Sequence, residues 1–314
     1  MTDAPPADAA ATDADPSAPP GRRVTAAVAL SGPDLHYAEV VRHAGAARLR
    51  RLGAVDFAFD TEQAVFGHGD SDALASVGAA LAEVLDGTEA QALVVAAHPT
   101  RTTSFFTPLP EGVSESARDA QLRQETALLA DLPPTLAVRV RAVPVRSEGG
   151  AGGARRWYHV VHVGEPVHVR LSLLAGGLGV PSYDVADTTR AVAPLATGAE
   201  GGGVDVVVGA YREHVEVALC RAGELLFAHG GAATTSEDTA YYTLSALQHA
   251  GLDAFEVGRL LTYGTVADGG RFALAAQLLD REPAPLDPFA PFGRQPGGDA
   301  AELAAFAPVL GAAL

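Results

Sequence analysis

Val204–Gly231 reads VDVVVGAYREHVEVALCRAGELLFAHGG, and its pattern predicts three short strands. Val204–Val208 is a continuous apolar run. Across His214–Cys220, Val215, Val217 and Leu219 alternate with His214, Glu216 and Ala218. Glu224–Phe227 is the third run. Gly209-Ala210-Tyr211-Arg212 and Arg221-Ala222-Gly223 supply the turns. Period-two alternation broken by turn residues is the mark of a half-buried antiparallel meander. Gly230-Gly231 follows, and then a helix signal: Ser236 as N-cap, Glu237 and Asp238 in the first turn, Ala240, Leu244 and Leu247 on one face, and Gly251 past the end.

The plan occurs once before. Val24–Leu30 reads as a strand, Ser31-Gly32-Pro33-Asp34 as a turn, Leu35–Arg42 as a second strand and Arg48–Phe59 as a third. A helix follows over Ser71–Leu85, with Leu74, Val77, Leu81 and Val84 on one face and Gly87 as its stop. Two copies of strand, strand, strand, helix predict an α/β protein of two similar lobes around a central cleft.

Composition narrows the function. A chain of 314 residues, 48% hydrophobic, has ample core for two lobes. No apolar run approaches the ~20 residues of a membrane helix, and no basic region precedes an apolar one as in a secretory signal. A net charge of −16 disfavours nucleic acid, whose binding rests on neutralising phosphates, and equally disfavours anionic lipid. Cys220, the single cysteine, allows no internal disulfide and no Cys-rich metal site, and its strand position reads as an inert core thiol. All 22 basic residues are arginine, and lysine, isoleucine and asparagine are absent. Their codons are A/T-rich, so a GC-rich genome is the simple source; a salty habitat is another source of the acidity. Without lysine there is no Walker A site, no Schiff-base lysine and no kinase-type phosphate lysine.

In chain order, residues 1–22 are Ala, Asp, Pro and Thr without periodicity and are expected to be a disordered acidic tail. A first lobe is expected over 23–199, with an inserted subdomain near 100–156. The insert holds Pro99–Pro110, a helix over Ser114–Leu129 ended by Pro133-Pro134, and strands Leu136–Val145 and Trp157–Val163 around a glycine-rich loop, Ser147–Ala154. A helix over Pro166–Ala175, a strand over Val180–Val185 and a crossing helix over Thr188–Ala196 lead to the glycine-rich joint Gly198–Gly203. The second lobe is expected over 200–280, including a short strand at Leu260–Tyr263. Residues 281–314, ending in a helix over Ala300–Leu310, are expected to return to the first lobe.

Four blocks in this order resemble a known family. They are TRTTSFFTPLPEGVSESARDAQLRQE (Thr100–Glu125), AGGLGVPSYDVADTTR (Ala175–Arg190), the second meander with Gly230-Gly231, and Leu286–Phe289 with Ala305–Leu314. Together they resemble the PilM family, the actin-like cytoplasmic component of type IV pilus assembly, and the cytoplasmic lobe of type II secretion proteins. Glu237–Leu244, EDTAYYTL, is similar to an acidic–tyrosine block of an uncharacterised actin-like family found mainly in Bacteroidota. Both resemblances imply the actin-like (ribonuclease H-like) fold, duplicated βββαβα lobes around a cleft.

In that fold ATP occupies the cleft, two hairpin turns cradle its phosphates, and an acid at each turn orients Mg²⁺ or the attacking water. The resemblance assigns any nucleotide to Ser31, Gly32 and Asp34, to Gly209 and Ala210, to Gly230 and Gly231, and to Gly264 and Thr265. The acids are missing where the pattern wants them: Ala29 and Leu30 stand at the first turn and Val208 at the second. Pro33 removes one N–H donor, and Tyr263 stands where a small residue would admit the base. The gap between the lobes is therefore expected to be stripped of its carboxylates. No catalytic residue is assigned, and ATP with Mg²⁺ is disfavoured as a cofactor.

The remaining constellations are weaker. His159 and His162, three apart in a strand, point to opposite faces and make no metal site. There is no Gly-x-Ser-x-Gly elbow. Phe105 and Phe106 on an edge strand, with Leu109, read either as a groove that accepts a peptide as an added strand or as a hydrophobic plug. The PilM resemblance implies a non-catalytic cytoplasmic scaffold, peripheral at the inner membrane, that binds the cytoplasmic tail of a membrane assembly protein and is open to self-association. The alternative is an actin-like ATPase or small-molecule kinase with unorthodox acids such as Asp34, Asp205 or Glu237.

Overall fold

The computed structural model describes residues 21–67, 70–132, 139–149, 153–197, 202–266, 269–293 and 297–314, and both meanders lie within them. The first comprises β1 (Arg23–Ser31), β2 (Asp34–His43) and β3 (Ala46–Asp56), antiparallel in sequence order. Helices α1 (Thr61–Phe66) and α2 (Ser71–Val84) return the chain to β4 (Ala92–Ala97), parallel to β1. A separate sheet of β5 (Thr103–Pro110), β6 (Arg141–Glu148) and β7 (Arg155–His162) then intervenes, with α3 (Glu115–Leu129) after β5. Its strand order is β5-β7-β6. Helix α4 (Glu165–Gly177) leads to β8 (Tyr183–Asp187), which completes the first sheet as β3-β2-β1-β4-β8.

The second copy repeats this order. After the short α5 (Thr188–Val192) come β9 (Val204–Ala210), β10 (His214–Arg221) and β11 (Glu224–Ala232), again an antiparallel meander. Helix α6 (Ser236–Ala250) returns to β12 (Val257–Tyr263), parallel to β9. Helix α7 (Gly269–Leu279) leads to β13 (Pro283–Pro285), giving β11-β10-β9-β12-β13. Helices α8 (Ala300–Ala304) and α9 (Ala307–Ala313) close the chain.

Strand periodicity explains the layers. On β1, Val24, Ala26, Val28 and Leu30 pack with Val77 and Leu81 of α2 and Leu171 and Leu174 of α4. The intervening Ala27 and Ala29 face Val309, Leu310 and Ala313 of α9. On β9, Val204, Val206 and Val208 pack with Leu247 of α6 and Phe272 and Leu279 of α7, while Val207 faces Val192 of α5. Central strands buried on both faces read as continuous apolar runs. Alpha-helix α9 lies so close to α5 that a Cβ on Gly311 would stand 1.9 Å from the Ala191 carbonyl oxygen. Cys220 is buried, and burial pushes its thiol pKa up, as an inert core cysteine requires.

Several expectations change in detail. The third strand of the second meander runs to Ala232, so Gly230 and Gly231 are strand residues rather than its stop. The N-cap of α6 is Thr235, in a reciprocal capping box with Asp238, and Ser236 is the first helical residue. The final helix is split in two, with Pro308 in the first turn of α9. The crossing helix ends at Val192 and continues as a 3₁₀ turn. Beyond Gly21 and Arg22, the expected tail lies outside the described residues, as do Pro133-Pro134, the start of the Leu136–Val145 strand, the tip of the Ser147–Ala154 loop and most of the Gly198–Gly203 joint. Among the described residues no helix is long and apolar enough to cross a membrane.

Candidate functional site

The second meander was read as half-buried, yet every residue from His214 to Cys220 is buried. Val215, Val217 and Leu219 fill the α6/α7 core. The alternate row, His214, Glu216, Ala218 and Cys220, faces the other way. Glu216 is fully buried and accepts three hydrogen bonds there, from the Tyr263 hydroxyl (2.6 Å), the Thr188 hydroxyl (2.5 Å) and His98 Nδ1 (3.1 Å). His98 follows directly on β4, so this contact joins the first sheet to the second. On the other side of the His98 ring, Nε2 is 3.9 Å from Glu62 Oε1. Glu62, on α1, accepts from Arg101 Nε (2.6 Å) and from the Gly32 N–H (3.3 Å). The Tyr211 ring stacks flat on His214 at 4.6 Å and stands edge-on to His98 at 4.3 Å. A continuous polar chain thus runs from the first hairpin turn through Glu62, His98 and Glu216 to Thr188 and Tyr263.

The electrostatics follow from this packing. Burial works to lower the His98 pKa, but the Glu216 and Glu62 carboxylates overcome it and the net shift is upward. Burial works to raise Glu216, and His98, His214 and the Thr188 hydroxyl bring it below the ordinary carboxylate value. The two form a buried ion pair. His214 is pushed down to about 4 by burial and by the neighbouring His98, which keeps it neutral at pH 7. Burial and the Glu216 charge hold both Tyr211 and Tyr263 in the phenol form.

The gap is therefore not stripped of carboxylates. The positions named from the turns, Ala29, Leu30 and Val208, are apolar, but Glu62 and Glu216 enter from α1 and β10. Sequence reasoning missed them because Glu62 carries no motif and Glu216 reads as the polar side of an alternating strand. The row's own composition was the available signal, since it continues through Ala218 and Cys220, which are apolar where a solvated face would be polar.

The structure draws some of the nucleotide-assigned residues together and leaves others apart. Gly32, in the left-handed region, donates its N–H to Glu62 and accepts from Thr61. Gly209 lies under the Tyr263 ring, and Gly264, with φ of 103°, packs on the Ala210 backbone. Gly230 pairs with Glu216 across the strands, and Gly231 lies under the Tyr242 hydroxyl. Thr265 is exposed, and Ser31 and Asp34 close the first hairpin as a strand pair. Asp34 faces Asp56, and burial beside that second carboxyl raises its pKa. Asp205 is tied to Arg259 by two hydrogen bonds of 2.8 and 2.7 Å, and Glu237 is exposed in the first turn of α6. His159 and His162 do not converge: His159 stacks on Phe106, and His162 Nδ1 bonds the Arg139 carbonyl.

A second feature is open. A groove of about 660 Å³ runs between the small sheet and β11, lined by Thr103–Phe106 on one side and Phe227–Gly230 on the other, with Trp157 and His249 at its margins. Among the described residues, β5 and β11 are both edge strands, each paired with a single neighbour. Phe106 lies between His159 and Phe227, with ring centroids 4.6 and 4.8 Å away. Phe105 and Leu109 point to the opposite face of β5 and pack with Leu122 of α3 and with Tyr158 and Val160. Leu109 is 2% exposed, so it supports the groove from beneath rather than lining it.

No family model matches the sequence, and no curated protein matches it. Solved structures do match the fold. A chain of the PilM–PilN type IV pilus biogenesis complex is 15% identical, with 92% of this chain and 97% of that one covered, at a TM-score of 0.67. A Bacteroides thetaiotaomicron protein with an actin-like ATPase fold and unknown function is 11% identical, with 83% and 90% covered, at a TM-score of 0.50. The chain has the actin-like fold, two α/β lobes of repeated topology facing each other across a gap.

Proposed function

We propose that the protein is a non-catalytic actin-like scaffold in the cytoplasm, and that its groove beside Phe105 and Phe106 takes an extended segment from the cytoplasmic tail of a membrane-anchored assembly protein. The observation that carries this reading is the groove itself: two strands that are sheet edges among the described residues face one aromatic-lined channel. Edge strands are templates for an added strand, with backbone pairing giving affinity and side-chain pockets giving specificity. The likeness to a chain solved as a PilM–PilN complex supports a peptide-carrying partner of that kind.

The gap supports the non-catalytic half of the reading. Its first turn already gives its Gly32 N–H to Glu62, and Tyr263 lies on Gly209 of the second. Glu62 and Glu216 each already accept hydrogen bonds from protein donors. A first turn whose N–H is already taken and a second turn covered by a tyrosine ring do not fit a nucleotide's phosphates, which need free backbone N–H groups.

The test is a binding titration of the full chain with fluorescent peptides from the cytoplasmic tails of pilus and secretion membrane proteins. Phe106→Ala and Leu129→Arg, the latter on an exposed residue at the groove, should each weaken binding about tenfold or more, equivalent to about 1.4 kcal/mol. Leu173→Arg, on the exposed face of α4, should leave it unchanged. Equal affinity in all three variants would place the peptide elsewhere. Since Glu62 and Glu216 do lie in the gap, a Mg-ATP thermal titration accompanies it. The expected result is no shift; a rise that scales with the logarithm of ATP concentration would restore the nucleotide reading.

A further inference from the structure

Within the gap, three side chains converge in a way the polar chain does not require. One donor atom each from His98, His214 and Glu216 lies within 4.8 Å of the other two, and all three residues are buried. The His98 Nδ1–Glu216 Oε2 edge is 3.1 Å. That is a hydrogen-bond length, and it is also close to the roughly 3.3 Å ligand–ligand edge of a tetrahedral zinc site with bonds of about 2.0–2.1 Å. Imidazole and carboxylate together suit Zn²⁺ and its first-row neighbours, whereas Mg²⁺ and Ca²⁺ take oxygen.

A second observation points the same way. His214 Nε2 is buried and has no hydrogen-bond partner among the described residues, and His214 is only 8% exposed. A buried unsatisfied ring nitrogen costs about 1–3 kcal/mol, and native folds retain one where a water or an ion completes it. The Tyr211 ring, flat against His214, fixes the plane of that imidazole.

The surroundings are those of a ligand shell. Glu216 is oriented by the Thr188 and Tyr263 hydroxyls. The far nitrogen of His98 faces Glu62 Oε1 at 3.9 Å, and Arg101 in turn holds Glu62. A histidine whose second nitrogen faces a carboxylate, and a carboxylate ligand held by hydroxyls, are the outer contacts that orient metal ligands. We propose that His98, His214 and Glu216 form a three-ligand site for a divalent ion of the zinc class, whose binding releases to solvent the proton that now bridges His98 and Glu216. The ligands come from both sheets, so the bound ion is a clasp between the lobes.

The probe is the metal alone, added to the full chain after chelator treatment. Zn²⁺ should bind at one ion per chain in competition with a chromogenic chelator, and Mg²⁺ should not compete. His214→Gln and Glu216→Gln should each weaken Zn²⁺ binding on the order of 100-fold, and Thr188→Ala on the order of tenfold. His229→Gln with His249→Gln, at the groove, should leave it unchanged. Co²⁺ in the unaltered chain needs no variant and should give the intense visible bands of a tetrahedral site. Undiminished Zn²⁺ binding in His214→Gln, a weak octahedral cobalt spectrum, or no stoichiometric Zn²⁺ binding at all would each overturn the proposal.

Discussion

The two meanders share one order of strands and differ in what the third residue of their second strand faces. In the first copy it is His36, set edge-on against Phe306 of the C-terminal segment at 4.7 Å. In the second it is Glu216, held by His98, Thr188 and Tyr263. One inward polar residue is covered by the chain's own tail and stays neutral. The other is charged and recruits its counter-ion from the opposite lobe. Repeated topology therefore fixes where an inward row points, while the side chain placed there decides whether the row closes a lobe or joins two.

The largest effect should come from breaking that joint. Glu216→Ala leaves a raised-pKa His98 and two buried hydroxyls without their acceptor. Removing one partner of a buried pair costs about 3–5 kcal/mol, to be read from urea unfolding at pH 7. His36→Ala should cost about 1–2 kcal/mol, since it removes a partly exposed ring and orphans no charge. Equal losses in the two variants would erase the distinction between the copies.

The covers on the two faces of the first sheet differ as well, and two helical glycines sharpen this. Gly311→Ala drives a Cβ into the Ala191 carbonyl where α9 crosses α5, and should cost about 1–3 kcal/mol as overpacking. Gly78→Ala, on α2 over the other face of the first sheet, meets only Leu174 Cδ2 at an ordinary 3.5 Å. It should stabilise by about 0.5–1 kcal/mol through helix propensity. Opposite signs from the same substitution, in paired thermal melts, are the expected outcome.

A smaller difference lies in the helices that return each meander to its sheet. Thr235 caps α6 in a reciprocal box with Asp238, whose pKa is lowered by the N–H groups it accepts from. Asp70 caps α2 by a single bond to Asp72. Thr235→Ala should cost about 1 kcal/mol and Asp70→Ala somewhat less, measured as shifts in denaturation midpoint. A larger loss at Asp70 would count against the box as the stronger cap.

Much of this architecture was legible because strands carry a period. The alternation of Val215, Val217 and Leu219 located β10, and the recurrence of the plan at Val24 gave the duplication. Alternation has one blind spot: it reports that a strand has two faces, but not whether the second meets water or another lobe. His214 and Glu216 fell into that gap, as did Glu62 and His98, which are contributed by single positions on α1 and after β4 with no spacing to betray them. Phe106 stands out in the sequence because paired aromatics on an edge strand are unusual. Leu109 was grouped with it, although two-residue periodicity puts the two on opposite faces. Cap positions slipped by one residue, from Ser236 to Thr235, because Thr234, Thr235 and Ser236 offer three capping hydroxyls in a row and only the Asp238 side chain selects among them.

The smallest predicted effect returns to His36. Burial lowers its pKa from the ordinary 6.5, with Asp56 opposing only in part, so the folded chain keeps the ring neutral where the unfolded chain protonates it. Between the depressed folded value and 6.5 the unfolded state binds more protons, so stability falls as pH drops through that window and is unaffected above it. His159, His168, His214 and His229 are shifted the same way and add to the trend, so the comparison must be with His36→Gln, which removes one contributor. Urea midpoints at pH 7 and pH 5 should differ less in His36→Gln than in the unaltered chain. Glu216→Gln should change that difference through the second copy's ion pair instead, because losing the carboxylate lets His98 fall toward neutrality. If His36→Gln leaves the pH dependence untouched, the ring takes up its proton alike in the folded and unfolded chains, and the cover by Phe306 does not hold it neutral.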